Sequence, residues 1–190
     1  QIFLQSDLFN ANQRPAVDVG ISVSRVGGDA QIKAMKQVAG TLKLTLASYR
    51  AMEAFAMFAS DLDATTRQQL TRGSRLMRLL RQPQYTPYAV EDQVASIWAG
   101  TNGFLDDVAV DDVARFEEGL LDHLRRNTSV LSAIAESGRL EKDTEEALKA
   151  AVEEFRSGFL AGEDSLGENG RPEDEEVIDS QEQIVRSKRG

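Results

Sequence analysis

The chain has 190 residues, 41% of them hydrophobic, which is enough to bury one sizeable core or two small ones. Its net charge of −9 argues against a nucleic-acid-binding protein, and the complete lack of cysteine excludes disulfides and thiolate metal sites. The single histidine, His123, excludes a multi-histidine metal site within this sequence, and no apolar run approaches the length of a membrane span.

The first 31 residues are predicted to be strand and turn. The runs QIFLQ and GISVSRV are short and rich in apolar and β-branched residues, and NANQRP between them has turn chemistry. Two or three strands cannot bury both of their faces alone. We therefore interpret residues 1–31 as the edge of a larger sheet, and the chain, which begins at Gln1, as a piece of a longer protein.

From Ala30 onward, apolar residues recur at steps of three and four, which predicts a helical bundle over residues 32–162. The sequences SDLD, QPQYTP and GTNG, together with Gly138, interrupt the pattern and mark helix ends. The predicted apolar helix faces lie within residues 35–56, 70–80, 90–98, 113–124, 131–134 and 148–159.

The composition becomes acidic after Gly162. Residues 163–190 contain nine acidic and four basic side chains, a net charge of −5 out of the total of −9. Few large apolar residues remain to offset the entropy of ordering, so we expect an acidic, mostly disordered tail. Its role is left open between a regulatory or assembly segment and a solubilising extension.

Arg25 is the sharpest candidate for chemistry. It follows a strand-like run and precedes Gly27 and Gly28, yet the sequence has no phosphate-binding loop of the form GxxxxGK[ST]. A guanidinium is a permanently charged fork suited to phosphate oxygens, and an arginine supplied by one subunit can stabilise phosphoryl transfer on another. The alternative is a sheet-edge arginine that pairs with Asp29 or with solvent.

The stretch RPAVDVGISVSRVGGDAQIKAMKQVAGTLKLTLASYR closely resembles the α-subunit family of F-type ATP synthases. SDLDATTRQQL, LLRQPQY and FRSGFLAG continue the resemblance in the same order, so that it covers residues 1 to about 162. It implies a mainly α fold: a C-terminal helical bundle in residues 32–162, preceded in residues 1–31 by the last strands of an α/β (RecA-like) nucleotide-binding domain. Residues 163–190 exceed the length at which many family members end.

The resemblance also implies catalytic roles. The arginine of SVSRVG, here Arg25, is the finger that the α subunit inserts into the catalytic site on a neighbouring β subunit. Ser22, the first serine of that motif, is associated with activity, and we expect it to act through packing that sets the strand end. Asp29 stands where the family usually has alanine, and a carboxylate there could pair with Arg25 and weaken its hold on phosphate.

A second implied site binds the adenine of a non-exchanging nucleotide. By the family's motifs it consists of Arg14 and Pro15 of RPA and of Gln82 and Gln84 of QxQ, with Phe9 nearby. The implied ligand is ATP or ADP with Mg²⁺, although the Walker A loop and the magnesium ligands are absent from this sequence. Taken alone, the two glutamines would be ordinary loop residues.

The resemblance implies a subunit of a proton-driven enzyme that makes ATP from ADP and phosphate, with this piece inactive alone. Its implied partners are β subunits in an alternating hexamer, the γ rotor subunit and, through the full-length protein, the peripheral-stalk δ subunit. The implied location is peripheral, on the cytoplasmic face of the bacterial cell membrane, without direct membrane insertion. No nucleic-acid partner is implied. The alternative is a free-standing helical protein-interaction module with an acidic tail, which should not begin with orphan strands.

Overall fold

The computed structural model describes residues 1–56 and 62–166, and these residues are mainly helical. Residues Gln1–Ser157 form one compact unit, and Gly158 begins a second. The α-helices in sequence order are α1 (Ser6–Asn10), α2 (Arg25–Ala30), α3 (Lys33–Ala56), α4 (Ala64–Leu79), α5 (Val90–Thr101), α6 (Val113–Asn127), α7 (Val130–Ser137) and α8 (Lys142–Leu166), with a 3₁₀ turn at Val110–Asp112 before α6.

The mainly α fold class is confirmed, but the strands expected near the N-terminus do not form among the described residues. That part of the protein has one isolated antiparallel bridge, between Leu4 and Val17. A strand needs neighbours that extend the ladder of hydrogen bonds, and no other described segment offers one. The N-terminal segment, residues 1–31, is therefore loop with two short helices.

Arg25 consequently begins a helix and does not end a strand. Ser24 precedes α2 in extended conformation, and its hydroxyl accepts a hydrogen bond from the backbone N–H of Gly27 at 2.9 Å. This is the N-cap geometry that serine favours, and it satisfies a donor that the first turn leaves free. Gly27 and Gly28, which follow Arg25, lie inside α2.

The core of the bundle is formed where α5 packs against α3, α4, α6 and α7. Each fully buried leucine, isoleucine or phenylalanine side chain contributes about 1.5–3 kcal/mol relative to exposure. The largest fully buried side chains lie on these helices and in the loop after α5: Leu46, Leu76, Leu105, Phe116, Leu120, Leu121, Leu124 and Ile134, joined by Leu148 of α8.

The predicted helix ends agree with the structure at several positions. Asp63 is the N-cap of α4, and its carboxylate accepts a hydrogen bond from the backbone N–H of Thr66 at 2.9 Å. Gly138 ends α7 in the left-handed conformation with φ of 64°, and Gly103 after α5 has φ of 86°. Both positions require the freedom of glycine.

Two polar contacts fasten the N-terminal segment to the bundle. Asp18 is buried and forms an ion pair with Arg50 of α3 at 2.7 Å. Gln13 is also buried, and its side-chain oxygen accepts a hydrogen bond from Arg81, just after α4, at 3.2 Å. These contacts fix the segment that carries several of the candidate site residues.

The acidic tail expected from residue 163 stays a prediction. Helix α8 continues to Leu166, beyond the predicted boundary at 162, and residues 167–190 lie outside the described part of the protein. None of the helices within the described ranges combines the length and the apolar character needed to cross a membrane.

Candidate functional site

The structure brings together residues of the two motifs that were assigned to the adenine pocket. The backbone N–H of Gln82 donates to the carbonyl oxygen of Arg14 at 2.9 Å, although the two residues are far apart in the sequence. The guanidinium carbon of Arg14 lies 4.3 Å from the ring centre of Phe9, so cation and aromatic face are stacked. Pro15 follows Arg14 through a cis peptide bond.

The loop between α4 and α5, residues 80–89, is closed by its own hydrogen bonds. The side-chain amide of Gln82 donates to the carbonyl oxygen of Thr86 at 2.6 Å, and the Thr86 hydroxyl donates to the carbonyl oxygen of Gln84 at 3.2 Å. Tyr85 at its tip has φ of 62° and is 92% exposed. The loop therefore holds Gln82 against Arg14, while the exposed Gln84 lies outside the cleft described next.

Arg14 and Gln82 line a cleft of about 630 Å³, which we call the arginine cleft. Its lining comes from the N-terminal segment, the end of α4, the loop after α4, and α6. Its charged side chains are Arg14, Arg78, Arg81, Glu117, Glu118 and Arg125. The volume of this cleft lies in the range of small-molecule sites, while its lining is more charged than is usual for them.

Sequence reasoning did not identify Glu117, which is half-buried in this cleft. Burial is the main cause that raises the pKa of the Glu117 carboxyl; the charge of Asp92 adds to it, while the Ser96 hydroxyl and Arg78 lower it. A signal was present, because Glu117 lies four residues from each of Val113 and Leu121, which both belong to the buried face of α6. A carboxyl beside a buried face is unusual and indicates a special environment.

Asp92 is the most buried carboxylate beside this cleft, and it is neutralised. It is 6% exposed and accepts a hydrogen bond from Arg125 of α6 at 2.7 Å. The hydrogen bond with Asp92 raises the pKa of the Arg125 guanidinium. Arg125 therefore serves mainly to join α5 to α6.

Arg25 does not line the arginine cleft. It is exposed, and within the described residues its guanidinium has neither a hydrogen bond nor an ion pair, including with Asp29. The Ser22 hydroxyl accepts a hydrogen bond from the backbone N–H of Phe3 at 3.0 Å, and Ser22 lines a second cleft of about 700 Å³. A structural role for Ser22 agrees with this contact, and the catalytic role of Arg25 stays a prediction.

Within the described ranges, no three histidine, aspartate or glutamate side chains converge on a point that could hold a metal ion. The groups that suit a nucleotide are the cation, aromatic ring and amides around Arg14 and Gln82, which can contact a base by stacking and hydrogen bonding.

Comparison with known proteins gives the family of the protein. Residues 31–155 match the family described as ATP synthase alpha/beta chain, C terminal domain. Proteins named ATP synthase subunit alpha from Beutenbergia cavernae and Renibacterium salmoninarum are 68% and 63% identical over the whole sequence, which covers 35% of each relative. A protein of the same name from Kocuria rhizophila is 72% identical over 84% of the sequence and 29% of its own length. The protein described here thus spans about a third of the length of these relatives.

Proposed function

The protein belongs to the family of C-terminal domains of ATP synthase alpha and beta subunits, and we propose that it is the C-terminal part of the α subunit of an F-type ATP synthase. The complete enzyme would produce ATP from ADP and phosphate, driven by a proton gradient. Identity above 60% along the whole sequence to proteins named ATP synthase subunit alpha supports this assignment. The part described would be inactive alone, because its sequence has no phosphate-binding loop.

We propose that Arg14 and Gln82 hold the adenine of a regulatory, non-catalytic nucleotide. The observation that carries the proposal is the backbone hydrogen bond of 2.9 Å between them, which brings both motifs to the arginine cleft. Phe9 lies against one face of the Arg14 guanidinium, and the opposite face of the guanidinium would stack on the base. Pro15 restricts the backbone beside it, and Gln84 would contribute only if the loop after α4 adjusts in the full-length subunit.

Arg25 is proposed to act in trans, as the arginine finger of the catalytic site on a neighbouring β subunit. Its support is an exposed guanidinium that no described carboxylate neutralises, at the start of a helix held by the Ser24 cap. Ser22 would keep the segment before Arg25 in place through its hydrogen bond to Phe3. An arginine fork binds two phosphate oxygens at once, which a single ammonium cannot do.

The proposed partners are the β subunits of an alternating hexamer, the central γ subunit and the peripheral-stalk δ subunit. The head would be peripheral to the membrane, on the cytoplasmic face of the bacterial cell. The ligand would be ATP or ADP with Mg²⁺, the metal being held by residues other than those described. No observation favours the alternative of a free-standing helical interaction module.

Nucleotide binding to the full-length subunit in its assembled complex tests the adenine site. Gln82→Ala should lower the affinity of the non-catalytic site for ATP by about tenfold, because the loop loses a hydrogen-bonding amide and its closure onto Thr86. Gln37→Ala, on the exposed face of α3, is the matched control and should leave the affinity unchanged. Equal affinity in the parent and in Gln82→Ala would overturn the assignment.

A further inference from the structure

We propose that Gln13 and Arg81 are positioning residues of the nucleotide site. The hydrogen bond between their side chains sets the spacing of the two residues that hold the base, Arg14 and Gln82. The inference rests on the proposed nucleotide site and extends it to a pair that the motifs do not assign to adenine. Neither side chain of the pair needs to touch the nucleotide, because each acts through the residue that follows it in the sequence.

The pair lies directly beside the two residues that hold the base. Gln13 precedes Arg14 in the N-terminal segment, and Arg81 precedes Gln82 in the loop after α4. The Nε–H of Arg81 donates to the side-chain oxygen of Gln13 at 3.2 Å. The backbone N–H of Gln82 donates to the carbonyl oxygen of Arg14 at 2.9 Å. Since hydrogen bonds prefer particular distances and angles, two of them at successive residues restrict both the separation and the relative rotation of the two segments.

Gln13 is fixed on its own side of this contact. It is 6% exposed, and its backbone N–H donates to the carbonyl oxygen of Leu8 in α1 at 2.8 Å. The next residue of α1 is Phe9, whose ring centre lies 4.3 Å from the guanidinium carbon of Arg14. A buried amide is costly unless it is hydrogen-bonded, so the bond from Arg81 offsets the cost of burying Gln13 at this position.

Arg81 is fixed by the end of α4. Its backbone N–H donates to the carbonyl oxygen of Arg78, in the last turn of that helix, at 3.1 Å. Arg81 is half-buried, and the described residues give its guanidinium no ion pair, although two glutamates line the same cleft. Gln13 is therefore the partner that orients this guanidinium, and the end of α4 is thereby tied to the residue next to Arg14.

The loop after α4 makes the position of Gln82 dependent on this pair. The loop is closed by its own hydrogen bonds, such as that from Gln82 to Thr86, so a shift at its start displaces Gln82 with it. Without the bond between Gln13 and Arg81, the described hydrogen bonds leave the backbone bond to Arg14 to hold the loop in place. The base must then order Arg14 and Gln82 as it binds, and such ordering lowers affinity.

The alternative is a purely structural contact, and a double-mutant cycle measured on binding separates the two roles. Leucine at position 13 or at position 81 removes the hydrogen bond. A structural contact changes the free energy of unfolding but leaves the affinity of the folded protein for ATP unchanged. A positioning pair changes the affinity, and because both substitutions break the same bond, the second adds little to the first.

The test measures the affinity of the non-catalytic site for ATP with Mg²⁺ in the assembled full-length complex. Gln13→Leu and Arg81→Leu should each lower the affinity about fivefold, and the double variant should also lose about fivefold, instead of the roughly 25-fold loss of independent residues. Gln13→Glu keeps an acceptor for Arg81 and should retain the parent affinity within about twofold. Tripolyphosphate carries the phosphates of ATP without the base, so it should bind Gln13→Leu and the parent alike.

Arg72→Leu is the matched control. It removes another arginine of α4, which binds Asp106 at 2.6 Å, and neither of these two residues lines the arginine cleft. Arg72→Leu should lower stability and leave ATP affinity unchanged, so the unfolding of every variant is measured in parallel. If Gln13→Leu does not assemble, Gln13→Asn replaces it, because its amide is one methylene shorter and loses the contact with Arg81.

Parent affinity in Gln13→Leu, or losses that multiply in the double variant, overturn the inference. Arg14→Ala distinguishes this failure from a failure of the nucleotide site. If Arg14→Ala weakens ATP binding while Gln13→Leu does not, the positioning pair alone is wrong. If Arg14→Ala also binds ATP like the parent, the nucleotide site is wrong and the positioning pair falls with it.

Discussion

The carboxylate of Asp18 lies 2.7 Å from the guanidinium of Arg50 and joins the N-terminal segment to the C-terminal part of α3. The same carboxylate accepts hydrogen bonds from the side chain of Gln5 at 2.5 Å and from the backbone N–H of Gly20 at 2.8 Å. Asp18 therefore organises the loop that runs from the arginine cleft toward Arg25. No local sequence pattern distinguishes this aspartate from a solvated loop residue, yet its side chain makes the hydrogen bonds that hold the N-terminal segment together.

We predict that Asp18→Asn destabilises the protein by about 1–2 kcal/mol at neutral pH, because hydrogen bonds to a charged acceptor are replaced by weaker ones. The hydrogen bond from Arg50 is the main cause that holds the pKa of Asp18 below its ordinary value of 3.8. Its contribution to stability is therefore present above pH 3.8 and is lost as the pH falls below that value toward the lowered pKa. Urea unfolding as a function of pH measures both effects.

Asp29→Asn is the control for that substitution, since Asp29 is exposed and has no ion pair among the described residues. The difference in free energy of unfolding between Asp18→Asn and Asp29→Asn should shrink as the pH is lowered through the acid range. A difference that stays constant from neutral pH down to about pH 3, below the ordinary value for an aspartate, would contradict the assigned ion pair.

We predict opposite effects on stability for alanine at two helical glycines. Gly73 of α4 lies against the ring of Tyr49 on α3, so that a Cβ there would overlap the ring. Gly73→Ala should destabilise by about 1–3 kcal/mol through overpacking. Gly40→Ala, where a Cβ meets nothing within 4 Å, should stabilise α3 by about 0.5–1 kcal/mol.

The fluorescence of Trp98 can follow the unfolding of both glycine variants. Trp98 is the only tryptophan of the sequence and is buried against Phe104. Its indole N–H donates to Glu145 at 2.8 Å, which gives the folded state a defined environment. Destabilisation by Gly40→Ala, or a neutral Gly73→Ala, would show that the packing of α3 on α4 differs from that described.

We predict that Arg25→Lys in the assembled complex lowers turnover about a thousandfold while nucleotide binding stays nearly intact. Lysine keeps the charge but loses the fork that can hold two oxygens of the transferred phosphoryl group. Arg139→Lys, an exposed arginine after α7, is the control and should retain normal turnover. Steady-state ATP hydrolysis and nucleotide affinity are measured on the same preparations, and normal turnover with lysine at this position would refute the role.

We predict that the 190-residue protein alone binds ATP weakly or not at all at micromolar concentrations. It supplies side chains for a base but no phosphate-binding loop, and the triphosphate carries most of the charge that such sites recognise. Isothermal titration calorimetry with ATP gives the answer, with the full-length subunit as the positive reference. Micromolar affinity of these 190 residues alone would mean that the nucleotide site is complete within them.

Local sequence signals predicted the helices better than the segment before them. The breaks at SDLD and Gly138 correspond to real helix ends, because an N-cap carboxylate and a left-handed glycine act within a few residues of where they stand. The strands expected before Arg25 failed for the opposite reason: β-branched residues favour a strand only when another strand pairs with it, and Leu4 and Val17 pair at a single bridge.

The roles of the site residues named from the motifs stay predictions, but the structure shows where these residues lie. The motifs named Arg14 and Gln82, and the structure places them in contact, while Gln84 and Arg25 lie outside the cleft. Glu117 was missed because its local signal, a carboxyl four residues from each of two buried positions on α6, is weak: the same pattern occurs whether the side chain points into solvent or into a cleft. Only the position of the neighbouring helices and loops decides whether such a side chain lies in solvent or in a cleft.

The sequence by itself determined that residues after 32 form a helical bundle, several of the helix ends within it, and the family to which the protein belongs, since periodicity, caps and motifs are short-range properties. Tertiary structure alone decided that Arg14 meets Gln82, that Asp18 binds Arg50, and that Glu117 loses water without gaining an ion pair. The physical reason is that hydrogen bonding and desolvation between residues dozens of positions apart depend on how the helices pack, and packing is set by the whole core at once.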